Sequence, residues 1–141
     1  MDLKQLIENF RLVVMSHYVD FHGRAGRAEF WHYILIYLAI TVVLGILGAR
    51  VLSNLIALAL FLPTLGVAVR RLHDIGRSGW LVLLPVIPAF LVAFFFFLFF
   101  PLALLLVGVV LVCIGYLIFL YAQPSMPGDN QYGAAPGSLS A

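Results

Sequence analysis

Most of the residues able to do chemistry in this chain sit in two short runs. The first is Gly23-Arg24-Ala25-Gly26-Arg27-Ala28-Glu29-Phe30-Trp31. The second is Arg70-Arg71-Leu72-His73-Asp74-Ile75-Gly76-Arg77-Ser78-Gly79-Trp80. Together they set five guanidinium groups against the carboxylates of Glu29 and Asp74. Three chemistries fit such a set. Arginine's planar fork suits bidentate pairing in a partly dry setting, so Arg24 or Arg27 would pair with Asp74, and Arg70 or Arg71 with Glu29. The surplus guanidinium groups, beside glycine amides, would suit a lipid phosphate. His73 with Asp74 could serve acid–base work, although sequence neighbours seldom present their side chains to one another. No motif marks a serine or cysteine nucleophile. His17, His22, His32 and His73 have no metal-ligand spacing with cysteine or acidic partners, so no metal or cofactor is expected. The single cysteine, Cys113, lies in an apolar run and reads as a small buried hydrophobe.

The elements that must hold these groups are set by composition. Of 141 residues, 64% are hydrophobic and 10% charged, and the mean hydropathy is +1.10. A soluble domain carries about 25% charged residues, and a chain this small buries too little surface to hide so much apolar area from water. The solvent must be lipid. A net charge of +2 gives no argument for nucleic acid.

Residues 1–22 read as one amphipathic helix. Leu3, Ile7, Phe10, Val14, His17 and Phe21 form its stripe, and the helix is expected to lie in the membrane interface. The apolar run 30–69 would be about 60 Å long as one helix, twice the roughly 30 Å of hydrocarbon. It must fold back, and Arg50 marks the place, giving spans near 30–49 and 51–69. The run 80–122 must fold back too. Pro101 at its midpoint divides it into spans near 80–99 and 102–122, with one span plus a re-entrant segment as the alternative. Ser78 is placed to cap the helix after it. Pro63, Thr64 and Gly66 could kink the second span and free carbonyls, or simply pack helices closely. The Pro-, Gly- and Ser-rich residues 123–141 read as a flexible tail. The expected fold is therefore an all-α membrane protein of four transmembrane helices in two hairpins. The membrane domain occupies 23–122, behind an N-terminal interfacial helix.

With four spans, Lys4, Arg11, Arg24, Arg27, Arg70, Arg71 and Arg77 share one side of the membrane and Arg50 alone takes the other. The positive-inside rule then places both termini in the cytoplasm. Trp31 and Trp80 fall at the same boundary as interface anchors. The spans themselves hold no mid-membrane ionisable group of the kind that ion-coupled carriers use.

The two arginine runs, with Pro127-Gly128-Asp129-Asn130-Gln131-Tyr132-Gly133 in the tail, resemble the signature of the domain of unknown function 805 family. The block of an arginine pair, Leu-His-Asp and Gly-Arg-Ser-Gly-Trp is its most specific part. The resemblance implies a small bacterial inner-membrane protein and no established activity. The apolar stretch after Trp80 is longer than the one span typical of that family.

Function is therefore expected to be non-enzymatic: a cytoplasmic-face scaffold that binds a membrane-protein partner or anionic lipid, or that associates with itself. The rival is a subunit of an oligomeric channel or transporter. The candidate contacts are Arg24, Arg27, Glu29, Arg70, Arg71, His73, Asp74 and Arg77.

Overall fold

A computed structural model describes residues 2–136. The described chain is helical, with an isolated bridge between Asn130 and Gly133 as its sole β pairing. Helix α1 covers Leu3–Arg11 and passes into a wider helical turn over Leu12–Ser16. Helix α2 is Arg27–Ile46 and α3 is Arg50–Asp74. A 3-10 turn at Gly79–Leu83 leads into α4, Val86–Leu98, and α5 is Phe100–Ala122.

Four segments are long and apolar enough to cross a membrane: Arg27–Ile46, Arg50–Asp74, Gly79–Leu98 and Phe100–Ala122. Length explains the hairpins. α2 and α3 join through Leu47-Gly48-Ala49, where Gly48 at φ +69° takes a conformation that a side chain would resist. α4 and α5 join through Phe99 alone. Pro101 lies in the first turn of α5, where its missing N–H goes unneeded. The amide of Phe99 donates to Phe95 O and its carbonyl accepts from Ala103, so this turn is satisfied without a polar side chain.

The core lies where α2, α3 and the last turns of α5 meet. Its buried members include Phe30, Val67, Leu72, Leu117 and Tyr121, with Val13 and Tyr33. Phe30 packs on Tyr121 at 4.6 Å between ring centres. No described residue of α4 is buried: it packs along α5 through partly covered residues such as Pro88, Val92 and Phe95 and leaves the rest of its surface to lipid.

The N-terminal segment departs from the single helix expected over 1–22. Phe10 stacks on Tyr33 at 5.4 Å, Val13 is fully buried, and the helix stops at Ser16. Residues 17–26 then run as an extended strap along α3. The strap is held where Tyr18 Oη donates to Ala59 O, Ala25 N donates to Arg70 O, and His73 Nδ1 donates to Gly23 O. The stripe of apolar residues at helical spacing ends early because these tertiary bonds outweigh local propensity. Asp20 helps to stop the helix by bonding its own chain. Its carboxylate accepts from His22 N at 3.0 Å and meets His17 Nδ1 at 2.8 Å. Burial alone would raise the Asp20 pKa. These two hydrogen bonds and the nearby Arg70 charge reverse that and hold it below the usual carboxylate value.

Pro63 explains one strap contact. Proline has no N–H, so the carbonyl four residues earlier in α3, Ala59 O, loses its helical donor. Tyr18 supplies the replacement. At the next residue, Leu60 O accepts from both Thr64 Oγ1 and Tyr33 Oη. Tyr18→Phe should therefore destabilise the protein by about 1 kcal/mol in detergent unfolding. In a Pro63→Ala background the backbone amide at 63 can bond Ala59 O itself, and the Tyr18→Phe effect should vanish. An equal loss in both backgrounds would refute this pairing.

Candidate functional site: a polar layer around Asp74

Asp74 ends α3 and is fully buried. Its carboxylate takes Arg24 from the strap at 3.0 Å, and Arg71 from the previous turn of its own helix. Both guanidinium groups go on to bind backbone carbonyls. Arg24 reaches Met126 O and Gly128 O, each at 2.6 Å. Arg71 reaches Tyr121 O at 3.1 Å and Gln123 O, at the end of α5. Tyr121 O is free for good reason: the last four carbonyls of a helix have no partner within it.

Beside this centre Arg70 donates to Glu29 Oε1 at 2.7 Å, tying α3 to the first turn of α2. Glu29 also suits the positive end of that helix. Arg70 is buried, and its Nε and Nη2 have no hydrogen-bond partner among the described residues. Glu29 is thus its one side-chain anchor.

The tail closes the layer. Where the composition of 123–141 suggests a flexible segment, Met126 N donates to Asp74 O and Asn130 Nδ2 to His73 O. Tyr132 stacks flat on the His73 ring, 3.9 Å between centres and 3° from parallel. The expected flexible tail also includes 137–141, which lie outside the described residues. Glycine and asparagine, which favour turns, let this segment double back over the arginines. The ratio of five arginines to two carboxylates was the signal for it. Unmatched guanidinium donors need acceptors, and backbone carbonyls are the most abundant ones.

The expected site residues divide into two groups. Arg24, Glu29, Arg70, Arg71, His73 and Asp74 come together. Arg27 and Arg77 do not join them; both are exposed and form no salt bridge among the described residues. Of the alternative pairings, Arg24 rather than Arg27 takes Asp74, and Arg70 takes Glu29. His73 and Asp74 point apart, one to Gly23 O and Tyr132, the other into the two guanidinium groups. They therefore do not act as an acid–base pair in this geometry. Among the described residues no three His, Cys, Asp or Glu side chains cluster as metal ligands would. Trp31 is partly buried and meets Phe30 edge-on at 5.2 Å. Trp80 is 80% exposed. Ser78 caps the 3-10 turn through a 3.4 Å bond from Trp80 N.

This arrangement can hold four stretches of chain in one place: the strap, the end of α3, the end of α5 and the tail. A buried carboxylate that accepts from two arginines satisfies the rule that buried charges survive when paired and hydrogen-bonded.

Comparison with known proteins agrees with this architecture. The inner membrane protein YhaI of Escherichia coli (strain K12) is 44% identical over 133 residues, covering 89% of this chain and 92% of the relative. The inner membrane protein YhaH of the same strain is 34% identical over 137 residues, covering 89% and 93%. The uncharacterized protein YiiR, also of that strain, matches 73 residues at 37% identity, 48% of this chain and 50% of its own length. No solved structure matches. The family model described as "Protein of unknown function (DUF805)" matches residues 18–134, which span the strap, all four membrane helices and the closing tail, and the chain belongs to that family.

Proposed function

We propose that the protein is a non-enzymatic platform in the bacterial inner membrane, with both termini and the polar layer on the cytoplasmic side. It presents Arg27 and Arg77 to a membrane-protein partner or to anionic lipid headgroups. The observation that carries this reading is the division among the arginines. Arg24, Arg70 and Arg71 are spent inside the protein, while Arg27 and Arg77 remain at the surface of a face that those three hold rigid. Seven of eight basic residues on one side of the membrane support the cytoplasmic orientation.

Orientation and role are tested together. In a background with Cys113→Ser, Ser78→Cys and Gln131→Cys should both resist a membrane-impermeant thiol reagent in intact cells and react once the cells are opened. Labelling of either in intact cells would overturn the orientation. A photo-crosslinking residue at position 27 or 77 should give discrete adducts in native membranes, whereas one at Arg50, on the opposite side, should not. Identical adducts at all three positions would remove the arginine-rich face from consideration.

A further inference from the structure

A groove of about 500 Å³ lies beside the polar layer, within the roughly 300–1,000 Å³ range of ligand sites. Its deeper walls are apolar: Phe21 of the strap, Leu65 and Val69 of α3, and Leu83 of the 3-10 turn. At the other end stand the His73 ring, fixed by Tyr132 and Gly23 O, and the Ser78 hydroxyl. Exposed Arg77 precedes Ser78 in the chain, and exposed Trp80 forms part of the rim.

The direction of this gradient matters. From Leu65 to His73 is eight residues of helix, about 12 Å, and the groove changes from apolar to polar along that axis. α3 is one of the membrane-crossing segments, so the groove runs as lipid chains run and becomes polar where Trp80 and the arginines mark the headgroup boundary.

We infer that this groove binds one anionic phospholipid from the leaflet on the arginine-rich side. An acyl chain lies along Leu65, Val69 and Leu83, and the phosphate meets Arg77 and Ser78. The inference gives a location and a ligand class to the lipid contact in the proposed function, and it rests on that reading's placement of the arginines at headgroup depth. It does not depend on a protein partner.

The test uses the full chain purified in non-ionic detergent and offered equal amounts of phosphatidylglycerol and phosphatidylcholine, with bound lipid read by native mass spectrometry. Wild type should retain a single phospholipid and favour phosphatidylglycerol. Arg77→Gln should cut that preference about fivefold, the effect of one basic residue near an anionic group. Leu83→Trp and Leu65→Phe, which fill the groove, should each lose the retained lipid of both kinds. Glycerol phosphate in solution should displace nothing, and Arg50→Gln should match wild type. Undiminished retention in both groove-filling variants would overturn the site, as would displacement by glycerol phosphate. An equal loss of preference in Arg27→Gln and Arg77→Gln would overturn it too, by showing diffuse attraction to the whole face, and would leave the platform reading standing.

Discussion

Asp74→Ala should destabilise the protein in detergent by about 3–5 kcal/mol, the loss seen when one partner of a buried ion pair is removed. The carboxylate has no exposure to solvent and joins two guanidinium groups that are themselves buried. Without it, Arg24 and Arg71 keep their backbone carbonyls but lose the negative charge that made their burial tolerable. Asp74→Asn preserves the size and one acceptor oxygen, so its loss should be smaller. Lys4→Ala should leave stability unchanged, because its 3.9 Å pair with Glu8 is exposed on α1 and such pairs contribute little. Thermal unfolding followed by circular dichroism gives the order. Equal midpoints for Asp74→Ala and Lys4→Ala would show that no cross-linked layer exists.

Gly66→Val should cost about 1–3 kcal/mol, the usual penalty for overfilling a packed site, and should release the strap before the helices melt. A Cβ at position 66 would fall 2.9 Å from the backbone oxygen of Asp20. That oxygen cannot swing aside as a side chain would. The strap is bonded to α3 on both sides of it, through Tyr18 and Ala25. Hydrogen exchange should therefore rise first in residues 17–26. Gly66→Ala should show the same pattern more weakly. Gly45→Ala is the contrast: nothing stands within 4 Å of the added carbon, so the change should be neutral or stabilising by up to about 1 kcal/mol through helix propensity. If Gly66→Ala and Gly45→Ala behave alike, the strap does not cross α3 at Gly66.

The membrane helices were legible because lipid reduces their design to length and polarity. The apolar runs 30–69 and 80–122 had to fold back, and Arg50 and Pro101 fall beside the observed turns at Leu47–Ala49 and Phe99. The strap was hidden. His17 and Phe21 continue an apolar helical stripe, and nothing local says that Tyr18 will serve a carbonyl freed by Pro63, forty-five positions away. Gly66 was read as a small residue for helix packing or as part of a kink; what it admits is the strap backbone. Sequence offered Arg24 or Arg27 to Asp74 and could not choose between them, and it missed Arg71, which it offered to Glu29 and which also takes Asp74 from one turn back in α3. The choice depends on Arg27 opening α2 while Arg24 still lies on the strap, and that boundary is a tertiary result. The tail was misjudged because composition measures a segment's own capacity to fold, whereas residues 126–133 are ordered by arginines elsewhere.

The carbonyls that complete the arginine layer come from Tyr121 through Gly133, near the end of the chain as given. Biosynthesis runs the other way. At about 5–20 residues per second, the 59 residues from Ile75 through Gly133 take roughly 3–12 s to follow. During that interval the first hairpin can insert, but Arg24 and Arg71 lack part of their permanent acceptors. Assembly of the layer is thus timed by residues 123–133, and a translation product that stops after Ala122 leaves Arg24 without Met126 O and Gly128 O, and Arg71 without Gln123 O. Closure of the arginine layer therefore waits on the turn at Asn130–Gly133.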